Sequence, residues 1–214
     1  MNLAAPQSFK VVTYLLTHDE TTQLAISEET GVSLHRVHDV VKYLRDVAIL
    51  REGSRQGARV ILSDPVRLLD TISLHRPLSK LVTDSVRLEL TNVVEAERLF
   101  ANISKKQKLL YAFTCFSGLN KYIEYYINYP AIHVYSTNPE RIVKTLPSGR
   151  GTVTVNTLQA DLSQFEQVKN VKGLSVVPAL QVVIDLFCLG AEGRDGAMKL
   201  YESLKQVRKQ RAKR

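Results

Sequence analysis

Residues 31–48 constrain this chain more than any other stretch, because they read as a helix with one face that must be buried. Leu34, Val37, Val40, Val41, Leu44 and Ala48 recur at i, i+3, i+4 and i+7, a single stripe on a helix of 3.6 residues per turn. Ser33 stands where a hydroxyl can accept a free first-turn amide, and Gly31 where an earlier helix can end with positive φ. The spacing therefore predicts a helix over residues 34–47. A short helix over 23–30 precedes it and is expected to bury Leu24, Ala25 and Ile26. Phe9, Val12, Leu15 and Leu16 predict an opening helix over 8–16, separated from the next by a polar break at 17–22.

After residue 48 the hydrophobic period shifts from helical spacing to short β-like runs. Residues 49–52 and 60–62 read as two strands around a Gly-containing turn at 53–59, and Asp64-Pro65 as the cap and first position of a helix to Leu74. Three helices followed by a hairpin predict a winged helix-turn-helix domain over residues 1–77. In that arrangement the third helix enters the major groove of duplex DNA. With the aliphatic stripe turned inward, its other face offers His35, Arg36, His38, Asp39, Lys42 and Arg45. Arg36 is expected to reach guanine O6 and N7, with His35 and His38 beside it. Asp39 suits a cytosine amine, and Lys42 and Arg45 suit phosphates. Ser33 can meet a phosphate at the helix start. Arg55 and Arg59, around two glycines of the hairpin, are expected to follow the sugar–phosphate edge or to enter the minor groove.

Charge qualifies this picture. The 214 residues carry a net charge of +8 and a pI near 9.5, which suits a polyanionic partner. Yet residues 1–75 hold 8 Lys+Arg against 9 Asp+Glu. The binding expectation therefore rests on separation of charge, with Asp19, Glu20, Glu28 and Glu29 turned away from the helix over 34–47. Most of the excess lies in the second half, above all in the final ten residues, KQVRKQRAKR.

Residues 78–207 read as a small mixed α/β domain, giving an α+β chain overall. Helices are expected over 88–103, 114–126, 139–146, 178–189 and 195–207, and strands over 109–113, 131–135 and 152–155. Tyr122, Tyr125, Tyr126 and Tyr129 would share a helical face that packs or meets a partner, with base stacking as the other reading; residues 208–214 would form a basic tail, either solubilising or attracting phosphates. No apolar run has the length of a bilayer span, and the first ten residues lack the order of a signal peptide, so a cytoplasmic chain without membrane contact is expected. Cys115 and Cys188 lie in apolar runs and read as buried hydrophobes.

The run VVPALQVVIDLFCLGAEGRDGAMKLYESL, over residues 176–204, is similar to the closing segment of the AbiEi-like antitoxins of type IV toxin–antitoxin systems. The segments LLYAFTCFSGLNKY and AIHVYSTNPERIVKTL also resemble strand–helix units of that family. The resemblance implies an autorepressing transcriptional regulator whose second domain counters a nucleotidyltransferase-type toxin; a solitary repressor suits the same residues. Asp185 and Arg194 are its candidate partner-binding residues, with a purely structural Asp185–Arg194 pairing, or local amides around the carboxylate, as the other reading. An association of two protomers is compatible with DNA readout. Catalysis is not expected: the chain has no Asp-x-Asp pair, no HExxH, and no P-loop at Ser148-Gly149-Arg150-Gly151. No cofactor or metal is called for. The rival class is a protein-interaction module that never meets DNA.

Overall fold

The computed structural model describes residues 1–53, 59–125, 129–160 and 162–211, without the side chains of residues 163, 164 and 211. It divides into two compact units, Met1–Arg76 and Pro77–Arg214.

In the first unit, α1 (Pro6–Thr17) begins with proline at its first position and buries Val11, Val12, Leu15 and Leu16. A three-residue strand, β1 (Glu20–Thr22), runs into α2 (Gln23–Thr30). The Thr22 hydroxyl accepts the Ala25 amide at 3.1 Å, and α2 stops at Gly31, whose φ of 66° only glycine adopts without strain. Ser33 then caps α3 (Leu34–Asp46) by accepting the Arg36 amide at 3.4 Å. Strands β2 (Leu50–Glu52) and β3 (Arg59–Leu62) form an antiparallel pair, and β1 adds to the far edge of β3, so the order is β1-β3-β2. Asp64 caps α4 (Pro65–His75) through the Arg67 amide at 2.8 Å. Val37, Val40, Val41 and Leu44 of α3 are wholly buried, together with Ile26, Val60, Leu68 and Leu69. Each such side chain contributes about 1.5–3 kcal/mol on removal from water.

Three expectations of burial in this unit are corrected. Leu24 is 58% exposed, because Ile26 faces the core and two residues turn a helix by about 200°. Leu34 is 48% exposed: at the first helical position its side chain leans toward the N-terminus, past the packed stripe. Ala48 lies outside α3 at φ 57°, exposed in the turn that ends the helix, where its amide donates to the Arg45 carbonyl.

The second unit begins with a 3₁₀ turn at Leu78–Lys80 and then alternates strands and helices. Its strands are β4 (Val82–Arg87), β5 (Tyr111–Thr114), β6 (Ala131–Ser136), β7 (Thr154–Gln159), β8 (Lys169–Val171) and β9 (Leu174–Val176). They form one mixed sheet in the order β4-β7-β6-β5-β9-β8, with β6/β7 and β5/β9 parallel and the other pairs antiparallel. The helices are α5 (Val93–Lys106), α6 (Cys115–Tyr122), α7 (Pro139–Thr145), the short α8 (Leu162–Phe165), α9 (Ala179–Leu189) and α10 (Ala191–Arg211). Phe113 of β5 meets Phe100 of α5 at a ring separation of 5.3 Å, whereas the next residue, Thr114, bonds to Asp185 of α9. Adjacent strand residues point to opposite faces, so α5 and α9 cover opposite sides of the sheet.

Here too the structure departs from the expected elements. Residues 82–87 are a strand and α5 starts only at Val93, where the Asn92 side chain accepts the Val94 and Glu95 amides. The helix α6 ends at Tyr122 with Ile123 extended, so Tyr125 and Tyr129 lie beyond it and share no helical face with Tyr122; Tyr126 is outside the described residues. The final helix is longer at both ends than expected, and residues 208–211 belong to α10 and not to a tail. Its start packs so closely on α9 that a Cβ at Gly193 would fall on the Leu186 carbonyl. Among the described residues, no helix is long and apolar enough to cross a membrane.

Candidate nucleic-acid interface

The inward stripe of α3 leaves a polar face whose side chains differ sharply in how firmly they are held. His35 has 89% of its side chain exposed, with Nε2 3.8 Å from an Asp39 carboxylate oxygen, one turn along. Ser33, His38 and Lys42 are exposed as well. His38 Nδ1 lies 3.3 Å from Gln23 Oε1, which places the start of α2 beside the second turn of α3.

The arginines are placed otherwise than the sequence suggests. Arg36 is drawn back to α1, where its Nη2 donates to the Ser8 hydroxyl at 2.9 Å, and Ser8 is fully buried. Two residues beyond Leu34 the helix has turned by about 200°, which carries position 36 to the α1 side. A hydrogen bond involving a charged group contributes about 1.5–3 kcal/mol, so Arg36 is fastened. Arg45 Nη1 pairs with Glu52 of β2 at 2.9 Å, while its Nε and Nη2 are enclosed without a hydrogen-bond partner among the described residues. With only 24% of its side chain exposed, Arg45 braces the hairpin against α3 and does not reach outward.

Arg59 pairs with Glu20 at 2.6 Å, because β1 is the neighbour of β3. This corrects the expected segregation of charge: Glu20 neutralises a hairpin arginine. Both partners are well exposed, and such a pair contributes roughly 0–1 kcal/mol, small enough for a phosphate to displace the carboxylate. Arg55 falls outside the described residues. The face that α3 presents is therefore Ser33, His35, His38, Asp39 and Lys42, flanked by Leu34 and Gln23.

In the second unit, Asp185 is held by side-chain donors and not by the local amides that the sequence offers as one reading. It lies within α9, fully buried, and accepts hydrogen bonds from Thr114 Oγ1 at 2.6 Å, Gln181 Nε2 at 2.9 Å and the Tyr135 hydroxyl at 3.1 Å. The carboxylate thereby ties α9 to β5 and β6. Arg194 of α10 places its guanidinium 5.3 Å from the centre of the Phe187 ring. Near Asp185, His133 of β6 has its Nε2 3.2 Å from Asn156 Nδ2 of β7, and Asn156 accepts from Ser85 of β4 at 2.6 Å. Burial pushes the His133 imidazole down to about 4, opposed by the negative charge of Asp185.

A second buried group joins Glu97 of α5 to Lys121 of α6 at 2.7 Å and to the Tyr129 hydroxyl at 3.1 Å. Burial, and then the Glu97 charge, push the Tyr129 phenol up to about 12. Sequence reasoning missed Thr114, Tyr135, Gln181, Glu97 and Lys121. Only the polar interruptions in apolar strands, as at Thr114 and His133, hint at them. Compared with known protein families, curated proteins and solved structures, the chain matches none.

Proposed function

We propose that this chain is a sequence-specific DNA-binding transcriptional regulator whose Met1–Arg76 unit is a winged helix-turn-helix. The order α1-β1-α2-α3-β2-β3 supports the reading, with β1-β3-β2 as the small sheet behind the wing. The observation that carries it is the open face of α3, where His35, His38 and Lys42 project from a helix whose other side is wholly packed. The imidazoles take base edges, Lys42 takes a phosphate, and Arg59 exchanges Glu20 for a phosphate of the flanking backbone. Arg36 sets the posture of the reading helix through Ser8. Two protomers on an inverted repeat fit such a reader. The basic end of α10 adds sequence-independent attraction to the duplex.

The second unit is the partner platform. Its closing segment, with the similarity to AbiEi-like antitoxins, supports a role in countering a nucleotidyltransferase-type toxin, with repression of the chain's own operon by the first unit. The rival reading, a protein-interaction module, draws on one specific observation: Arg36, Arg45 and Arg59 all have protein partners.

Titration of the full chain against the duplex upstream of its own coding sequence, at several salt concentrations, separates the two. The DNA reading expects tight, salt-dependent binding, weakened at least about tenfold by His35→Ala with His38→Ala, each base-edge interaction being worth about 1–3 kcal/mol. Lys42→Ala is expected to flatten the salt slope by about 0.9. Binding no tighter than to unrelated DNA, and indifferent to these variants, would leave the interaction module standing. Co-expression with the product of the neighbouring gene tests the antitoxin role: rescue of growth supports it, and continued toxicity rejects it.

A further inference from the structure

Leu34 and Leu24 are the two large apolar side chains left exposed at the starts of α3 and α2. A single leucine in water is ordinary on a protein surface and means nothing alone. Its place gives this one meaning. Leu34 stands directly after the Ser33 cap, one turn before His38, and His38 is hydrogen-bonded to Gln23, the neighbour of Leu24. Apolar surface thus borders the imidazole at the part of α3 that enters a groove first. The group that would read guanine there, Arg36, is held back on Ser8. What remains at the tip is a hydrocarbon branch and two imidazoles.

On the major-groove floor the 5-methyl of thymine is the apolar group on offer; the other bases present polar donors and acceptors. We infer that Leu34 packs on a thymine methyl and so fixes an A·T pair at one position of each half-site. This rests on the DNA-binding reading of the first unit and names what its helix recognises. Pairing with a guanine or cytosine edge at that position would set a polar atom against the Leu34 branch and leave it without a partner.

The test uses the full chain and a randomised duplex library, from which bound sequences are enriched. In the best enriched duplex each thymine is replaced in turn by deoxyuridine, which removes the methyl and keeps the base pair. One position per half-site is expected to lower affinity about fourfold, the worth of one methyl-sized group taken out of water. Leu34→Ala, at an exposed first-turn position, is expected to bind the thymine and deoxyuridine duplexes equally, and Leu34→Met to keep the difference. Indifference to every deoxyuridine replacement, or a Leu34→Ala protein as sensitive as the parent, overturns the assignment while leaving DNA binding intact. A selection that enriches no sequence defeats the DNA-reading itself.

Discussion

At the scale of single residues, the buried polar groups of the sheet domain govern stability. His133 is neutral in the folded chain, lowered from 6.5 to about 4 by burial. Unfolding frees it to bind a proton between those values, so the unfolded state takes up more protons there and stability falls as pH drops from about 6.5 to 4. The loss attributable to this one ring reaches about 3 kcal/mol. Urea unfolding at pH 7 and pH 4.5 checks it, with His133→Gln expected to show a shallower fall than the parent. Asp185 acts as a shared acceptor, taking hydrogen bonds from Thr114, Gln181 and Tyr135. Asp185→Ala removes the acceptor that Thr114, Gln181 and Tyr135 share and is expected to cost at least about 3 kcal/mol, with Asp185→Asn milder, as thermal melts of the full chain would register. Neither residue's setting is legible in the sequence: Asp185 of α9 meets donors on β5 and β6 that lie 71 and 50 positions before it in the chain. The α3 face is half legible for a similar reason. Helical spacing turns the valines inward, but the Ser8 and Glu52 that capture Arg36 and Arg45 lie on other elements.

At the scale of elements, short-range chemistry is legible and distant pairing is not. The ends of α2, α3, α4 and α7 are written locally: Gly31, Ser33, Asp64-Pro65 and Asn138-Pro139 each act within four residues. By contrast β1 is three polar-rich residues that become a strand only by lying against β3, and β4 is an edge strand with alternate residues in solvent. The β8–β9 hairpin turns at Lys172-Gly173, both with positive φ, a signal present in the sequence but flanked by too little apolar pattern to stand out. Two glycines make contrasting predictions. Gly31→Ala meets no neighbouring atom and is expected to cost only about 1–2 kcal/mol of left-handed strain. Gly193→Ala must push α10 off the Leu186 carbonyl and is expected to be the more damaging of the two, as paired thermal melts would show.

At the scale of the whole molecule, charge and fold are distributed unequally. The near-neutral first 75 residues contain the candidate reading face, while the excess of cations lies in the remainder and ends on α10. Removing residues 208–214 takes away five cations and no carboxylate. Truncation there is expected to weaken binding to all duplexes alike and to reduce the salt slope by about 0.9 for each phosphate no longer neutralised. Preference among sequences should be unchanged, which competition between enriched and scrambled duplexes would reveal.

The central position of β3 has a further consequence. Val60 is enclosed while Arg59 is exposed, and both edges of the strand are fixed by pairing, to Thr21 and Thr22 on one side and to Glu52 on the other. Displacing β3 by a single step would drive the guanidinium into the hydrophobic interior and expel the valine. An insertion or deletion within residues 59–62 must therefore come in twos, unless a bulge takes up the odd residue.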